Sequence, residues 1–265
     1  MINQRDYLRN VLASYDMLEC KPARLPVDKN FTFSLLLRDK SENQEIESDC
    51  RKLIGSLLYA VVGSRPDLFV SVSMLSRFQN CASKLLFETL KNILNYVKGT
   101  LDLSLVYRRD GDEQVIGSVD SDIGGDPSDG KSTTGFVFKV FDSAVMWGSR
   151  KQPTVSKSSA EAGYIALCIA TSEARWLRNI LTNLDLLLGP VQMFEDNQSA
   201  IKIAKNPEVR KIKHLDLTKF FIKDVIDQRL IEVVYVPTND QVADMFTKCL
   251  GNNLFAKFRD IVFNK

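Results

Sequence analysis

Two carboxylates occupy places where chemistry could be done. Asp120 closes the apolar run VIGSV at 115–119, and Asp196 closes VQMFE at 191–195. Runs of that length and composition read as strands. The C-terminal ends of strands in an open α/β sheet form the edge where ligands bind. Carboxylates gathered there repel one another unless a cation neutralises them. Mg²⁺ takes oxygen ligands of this kind together with substrate phosphates, and Mn²⁺ is the alternative. Asp244, on the first turns of a late helical stretch, offers a third ligand. The same aspartates also fit ordinary strand ends with solvated side chains, and spacing alone leaves both readings open.

The elements that must position these residues follow from periodicity. Beyond residue 110 the pattern predicts strands at 115–120, 133–140 and 144–148, then a long helix from Ser159 to about Leu184. A strand at 191–195, a short helix from Gln198, a helix over 216–227, a strand at 230–236 and a helix over 240–248 follow. Mixed strands with crossover helices imply an α/β domain with a partly parallel sheet. Two stretches, Ser158 to Glu161 and Thr238 to Gln241, fit the capping box that opens a helix.

The first hundred residues read as helix. Apolar blocks at 53–62, 68–78 and 85–97 are separated by Arg65, Pro66 and Asp67 and ended by Gly99 as a C-cap, and the polar stretch 41–49 reads as an exposed loop. The runs at 103–107 and 115–119 flank Asp110 and Gly111 as a strand pair or a linker, so the expected division is 1–110 and 111–265.

Composition bounds the function. The 265 residues are 45% hydrophobic and 26% charged, which suits a globular protein with a core. Lys and Arg total 35 against 33 Asp and Glu, so the net charge of +2 cannot hold a polyanion, and nucleic-acid contact must come from local patches. Five scattered cysteines without a C-x-x-C pair indicate neither disulfide framework nor zinc site. No signal-peptide core opens the chain, and no apolar run approaches the ~18 residues of a membrane span. The expectation is a soluble intracellular protein with no membrane partner.

Several ordered motifs carry a resemblance. KSTTGFVF at 131–138, WGSRKQPTVSKSSAEA at 147–162, EDNQSA at 195–200 and QVADMFTK at 241–248 resemble the RNase H of copia-type retrotransposons. GSLLY at 55–59, SRPD at 64–67, LSRF at 75–78 and YVKGT at 96–100 are similar to the region linking reverse transcriptase to RNase H in that family, and residues 7–30 to the end of the polymerase. The resemblance implies the C-terminal part of a Pol polyprotein. Its expected fold is an RNase H-like mixed sheet with flanking helices, preceded by a mainly helical connection segment. The family's Tyr-x-Asp-Asp polymerase turn is absent from the chain.

The implied activity is two-metal hydrolysis of RNA in RNA–DNA hybrids. Its carboxylates fall on Asp120, Asp196 and Asp244. The family's fourth, a Glu just before Tyr-(Ile/Met)-Ala-Leu, is replaced by Gly163. Glu161 points roughly 200° around the helix from position 163, at ~100° per residue, and is taken up by capping. Asp122 shares the face of Asp120 if the strand continues. Ile123 stands where the family has tryptophan, and Phe220 where it has a second histidine.

The remaining candidates are basic. Arg150 and Lys151, with Lys211, Lys213 and His214, read either as a solvated face or as a surface tracking the phosphates of a hybrid. The reverse transcriptase part of the parent polyprotein is the expected protein partner, against which the helices at 53–62 and 85–97 would pack. Three functional readings follow: an RNase H impaired at Gly163, a nucleic-acid binder without catalysis, and an unselected remnant.

Overall fold

The two runs that end in Asp120 and Asp196 become neighbours in one sheet. In the computed structural model, which describes residues 1–38, 44–81, 83–108, 111–112, 114–186, 189–206 and 218–265, the chain packs as two units. The first comprises Met1–Val106 with Lys248–Phe263 and Lys265, and the second Tyr107–Thr247 with Asn264. Residues 248–263 group with the first unit.

In the first unit, helices α1 (Arg5–Ser14), α2 (Leu35–Arg38), α3 (Gln44–Gly63), α4 (Phe69–Ser76) and α5 (Lys84–Gly99) follow in order. The polar stretch read as a loop extends α3 from Gln44, while 41–43 lie outside the described residues. Glu45 and Glu47 favour the positive end of the helix dipole, and polarity marks the solvent face of this helix rather than its absence. Gly99 is the last helical residue and Thr100 the C-cap. The run 103–107 forms no strand; Leu105 makes a single bridge to Ile2. Of the two apolar helices expected to face a partner, α5 buries its apolar face, whereas α3 exposes Leu58, Tyr59 and Val62.

The second unit is built on β1 (Val115–Asp122), β2 (Thr133–Val140), β3 (Ser143–Lys151), β4 (Val191–Glu195) and β5 (Ile231–Tyr235). Their order in the sheet is β3-β2-β1-β4-β5. β1 pairs antiparallel with β2 and parallel with β4, and β4 parallel with β5. Helices α6 (Ser159–Asn183), α7 (Gln198–Lys205) and α8 (Thr218–Asp227) flank it. The core joins Val119, Phe136 and Phe138 of the sheet to Tyr164, Leu167 and Ala170 of α6, together with Met193 and Val233. This is the mixed sheet with flanking helices that the resemblance implied.

The expected helix at 240–248 is two 3-10 turns, Thr238–Asp240 and Val242–Phe246. Thr238 caps nothing; Gln241 is the N-cap of the second turn. Helix α9 (Asn252–Val262) was not anticipated, although Leu254, Phe255, Phe258, Ile261 and Val262 recur at helical spacing. Among the described residues no helix is long and apolar enough to cross a membrane.

Candidate active site

Asp120 lies on β1 opposite Gly135 of β2 and is 6% exposed. A β-carbon on Gly135 would meet Thr247 Cγ2 at 2.6 Å and the Phe246 carbonyl carbon at 2.8 Å. Glycine is therefore what lets the turn carrying Asp244 settle on β2. Thr247, which closes that turn, donates its hydroxyl to Asp120 Oδ2 at 2.6 Å. The Asp244 carbonyl, 3.2 Å from Thr247 Oγ1, is the weaker competitor for that one hydroxyl proton. Asp244 itself is 2% exposed.

Asp196 directly follows β4 and is half-buried; Thr238 donates to its Oδ2 at 2.7 Å. Asn197 then caps α7, its Oδ1 accepting from the Ser199 and Ala200 amides at 3.1 Å each. This explains why a helix starts directly after the strand.

The start of α6, which carries Gly163, is fixed from the other side. Ser158 caps α6 by accepting from the Glu161 amide at 3.2 Å, and Glu161 accepts from the Lys157 amide at 2.9 Å, so its carboxylate is committed as expected. Gln152 Nε2 donates to the Ala162 carbonyl at 2.9 Å and to Thr134 Oγ1 at 3.0 Å, tying the start of α6 to β2. Gly163 is buried, and a β-carbon there would meet Ala200 Cβ at 3.1 Å and Asn197 Cβ at 3.5 Å. A side chain at 163 would thus head for the N-terminus of α7, next to Asp196.

Three participants escaped the sequence reading. Glu195 is 1% exposed; its Oε1 accepts from the Asn197 amide at 3.1 Å, and its Oε2 has no hydrogen-bond partner among the described residues. Burial first, and then the charges of Asp120 and Asp196, push its carboxyl well above the usual carboxylate range, against the pull of backbone hydrogen bonds. A sequence signal existed, since Val191, Met193 and Glu195 share the inward face of β4. Thr247 and Gln241 are the others. Gln241, 0% exposed, donates to the Val119 carbonyl at 2.9 Å and the Phe194 carbonyl at 3.3 Å, and its Oε1 accepts from the Ala243 amide at 3.2 Å.

The other candidates are placed as follows. β1 continues through Asp122, whose carboxylate stands over Gly125, 2.0 Å from where a β-carbon would be. Arg150 pairs with Glu173 at 2.7 Å and lies over the Phe136 ring. Lys151 bridges Asp126 at 2.6 Å and Asp129 at 2.9 Å. Both charges are thus met internally. Ile123 and Phe220 are exposed. Lys211, Lys213 and His214 lie outside the described residues. Among the described residues no group of three or more His, Cys, Asp or Glu side chains is placed to hold a metal ion.

Known proteins resemble this chain along almost its whole length. A retrovirus-related Pol polyprotein from transposon TNT 1-94 of Nicotiana tabacum is 31% identical over 268 residues, taking in 98% of this chain and 20% of its own length. That from transposon RE2 of Arabidopsis thaliana is 31% identical over 259 residues, 97% of this chain and 18% of the relative. The chain belongs to the copia-type Pol polyprotein family. It spans about a fifth of the length of these Pol relatives. No protein-family model matches it. Among solved structures, LC11-RNase H1 isolated from compost is similar to the Pol chain with 17% identity and a TM-score of 0.42, over 55% of this chain and 98% of that one.

Proposed function

We propose that this RNase H-like domain of a copia-type Pol polyprotein engages RNA–DNA hybrid and cuts the RNA strand poorly, because Gly163 replaces a catalytic glutamate. One observation carries the reading: the side-chain direction at 163 leads to Asn197, the residue after Asp196. A glutamate there would join the aspartates at the strand ends, and glycine removes it.

The cofactor implied by the resemblance is Mg²⁺, with Mn²⁺ as the alternative, and the proposed ligands are Asp120, Asp196 and Asp244. As placed, these side chains do not close into a cation site, and two cations require more negative charge than this donor set gathers. The proposed hybrid contacts are Lys211, Lys213 and His214, with Arg150 and Lys151 demoted by their ion pairs; the proposed protein partner is the reverse transcriptase part of the parent polyprotein.

A cleavage assay on a labelled hybrid, with and without Mg²⁺, tests the reading. Slow, Mg²⁺-dependent loss of the RNA strand is expected, together with hybrid binding that needs no cation. Cleavage as fast as that of the Gly163→Glu protein would overturn the impairment. Failure to bind hybrid would overturn the domain's role.

A further inference from the structure

β1 and β4 are paired only as far as Ser118 and Phe194. One residue later the strands part, and in that parting each carries a carboxylate, Asp120 on one side and Glu195 then Asp196 on the other. Carbonyls at such a divergence lose their ladder partners, and buried ones must find others. The carboxamide of Gln241 enters the gap.

We infer that Gln241 is a positioning residue that locks the segments bearing Asp120, Asp196 and Asp244 to one another. Its Nε2 bonds the Val119 carbonyl, next to Asp120, and the Phe194 carbonyl, two residues before Asp196. Its Oε1 holds the Ala243 amide, next to Asp244. One rigid planar group therefore touches the backbone within two residues of each of the three aspartates, and the side chain is fully buried. No other side-chain type does this. Glutamate has no N–H to give the two carbonyls, asparagine is one methylene short, and methionine fills the volume without any of the bonds. The inference deepens the nuclease reading and rests on it for its catalytic consequence: small misplacements of reacting groups cost large factors in rate.

Hydrogen–deuterium exchange of the full chain, resolved by peptide, tests the geometry without any cleavage. Gln241→Met should speed exchange about tenfold or more in 117–122, 192–198 and 241–247 together, while the later turns of α6 and the β2–β3 turn stay unchanged. Gln241→Asn should give the same pattern, and it replaces the Met variant if that fails to fold. Acceleration confined to 241–247, or spread evenly over the unit as for an ordinary core residue, overturns the inference. The kinetic arm uses Gly163→Glu protein: adding Gln241→Met should lower kcat about tenfold or more at unchanged KM for hybrid. A raised KM with kcat intact overturns the positioning role. If Gly163→Glu protein does not cut at all, the nuclease reading fails, and the exchange pattern alone decides the part played by Gln241.

Discussion

A β-carbon on Gly163 would come within 3.1 Å of the Ala200 β-carbon, so α6 and α7 approach here more closely than side chains ordinarily allow. Glycine costs ~1 kcal/mol relative to alanine in a helix interior, a cost with no visible return in the sequence. The structure supplies the return, because the approach of α7 is what the absent side chain permits. Gly163→Ala should gain that ~1 kcal/mol of propensity but lose ~1–3 kcal/mol to overpacking. A small net loss in urea denaturation is expected, partly recovered by adding Ala200→Gly. A clearly stabilised Gly163→Ala protein would show that α7 gives way freely.

Gly163→Glu should pass the same constriction, lowering stability while restoring a carboxylate beside Asp196. Mg²⁺-dependent cleavage of the RNA strand should rise by about two orders of magnitude or more. Asp196→Asn in that protein should abolish the gain, since an amide supplies no negative charge. A folded, hybrid-binding Gly163→Glu protein that cuts no faster would move the defect to the loop after Asp122 or to Phe220.

How much of this was legible in the sequence depends on whether a residue acts locally or across the fold. β4 and the start of α6 were readable because apolar alternation and the Ser158 cap are local signals. The helix expected from Thr238 was not, because Gln241, the apparent capping partner, is drawn into the gap between β1 and β4, and Thr238 goes to Asp196. Long-range bonds of that kind override a local motif. The ion pairs of Arg150 and Lys151 were hidden for the same reason: nothing in the sequence says that Glu173, Asp126 and Asp129 will fold against them.

Glu195 makes stability depend on pH in a definite sense. Its folded carboxyl is raised well above 4.5, so the folded state holds the proton more tightly than the unfolded chain. The proton-linked stability is present in full below the unfolded value and is lost as pH rises toward the folded one, by up to ~1.4 kcal/mol per pH unit. Glu195→Gln keeps an acceptor for the Asn197 amide and removes the titration. The variant should match the parent near pH 4 and exceed it increasingly up to pH 7, in denaturation measured across that range. A constant difference at every pH would mean that Glu195 ionises normally.

The salt dependence of hybrid binding tests which basic residues meet the phosphates. Lys151 clamps the loop holding Asp126 and Asp129, and Asp126 is almost fully buried. Lys151→Met should therefore lower stability by ~1–3 kcal/mol, since Asp126 keeps its bonds from Ser128 but loses its cation, and leave the salt dependence of hybrid binding nearly unchanged. Neutralising Lys211 and Lys213 together should do the reverse, flattening the log–log salt slope by about 1.5–2. Binding measured at several salt concentrations distinguishes them. A slope that responds to Lys151 and not to the other pair would place the phosphate contacts on the β3 side.

Cutting the chain should succeed only if both boundaries of the second unit are respected. A fragment starting at residue 108 and running to the end would carry α9 without the unit it packs in, where the Phe255 ring meets Tyr96 edge-on with centroids 5.7 Å apart. Phe255, Phe258 and Val262, all buried in the whole chain, would then lose their cover. Exposing three such side chains forfeits ~1.5–3 kcal/mol each and leaves an apolar stripe that invites self-association. A fragment of residues 107–248 retains Thr247 and its bond to Asp120 and ends before α9. It should elute as a monomer with the cooperative unfolding of a single domain, whereas the 108–265 fragment should associate or show reduced solubility. Light scattering after size-exclusion chromatography decides between them, and a monomeric, well-behaved 108–265 fragment would mean that α9 finds its cover within the second unit.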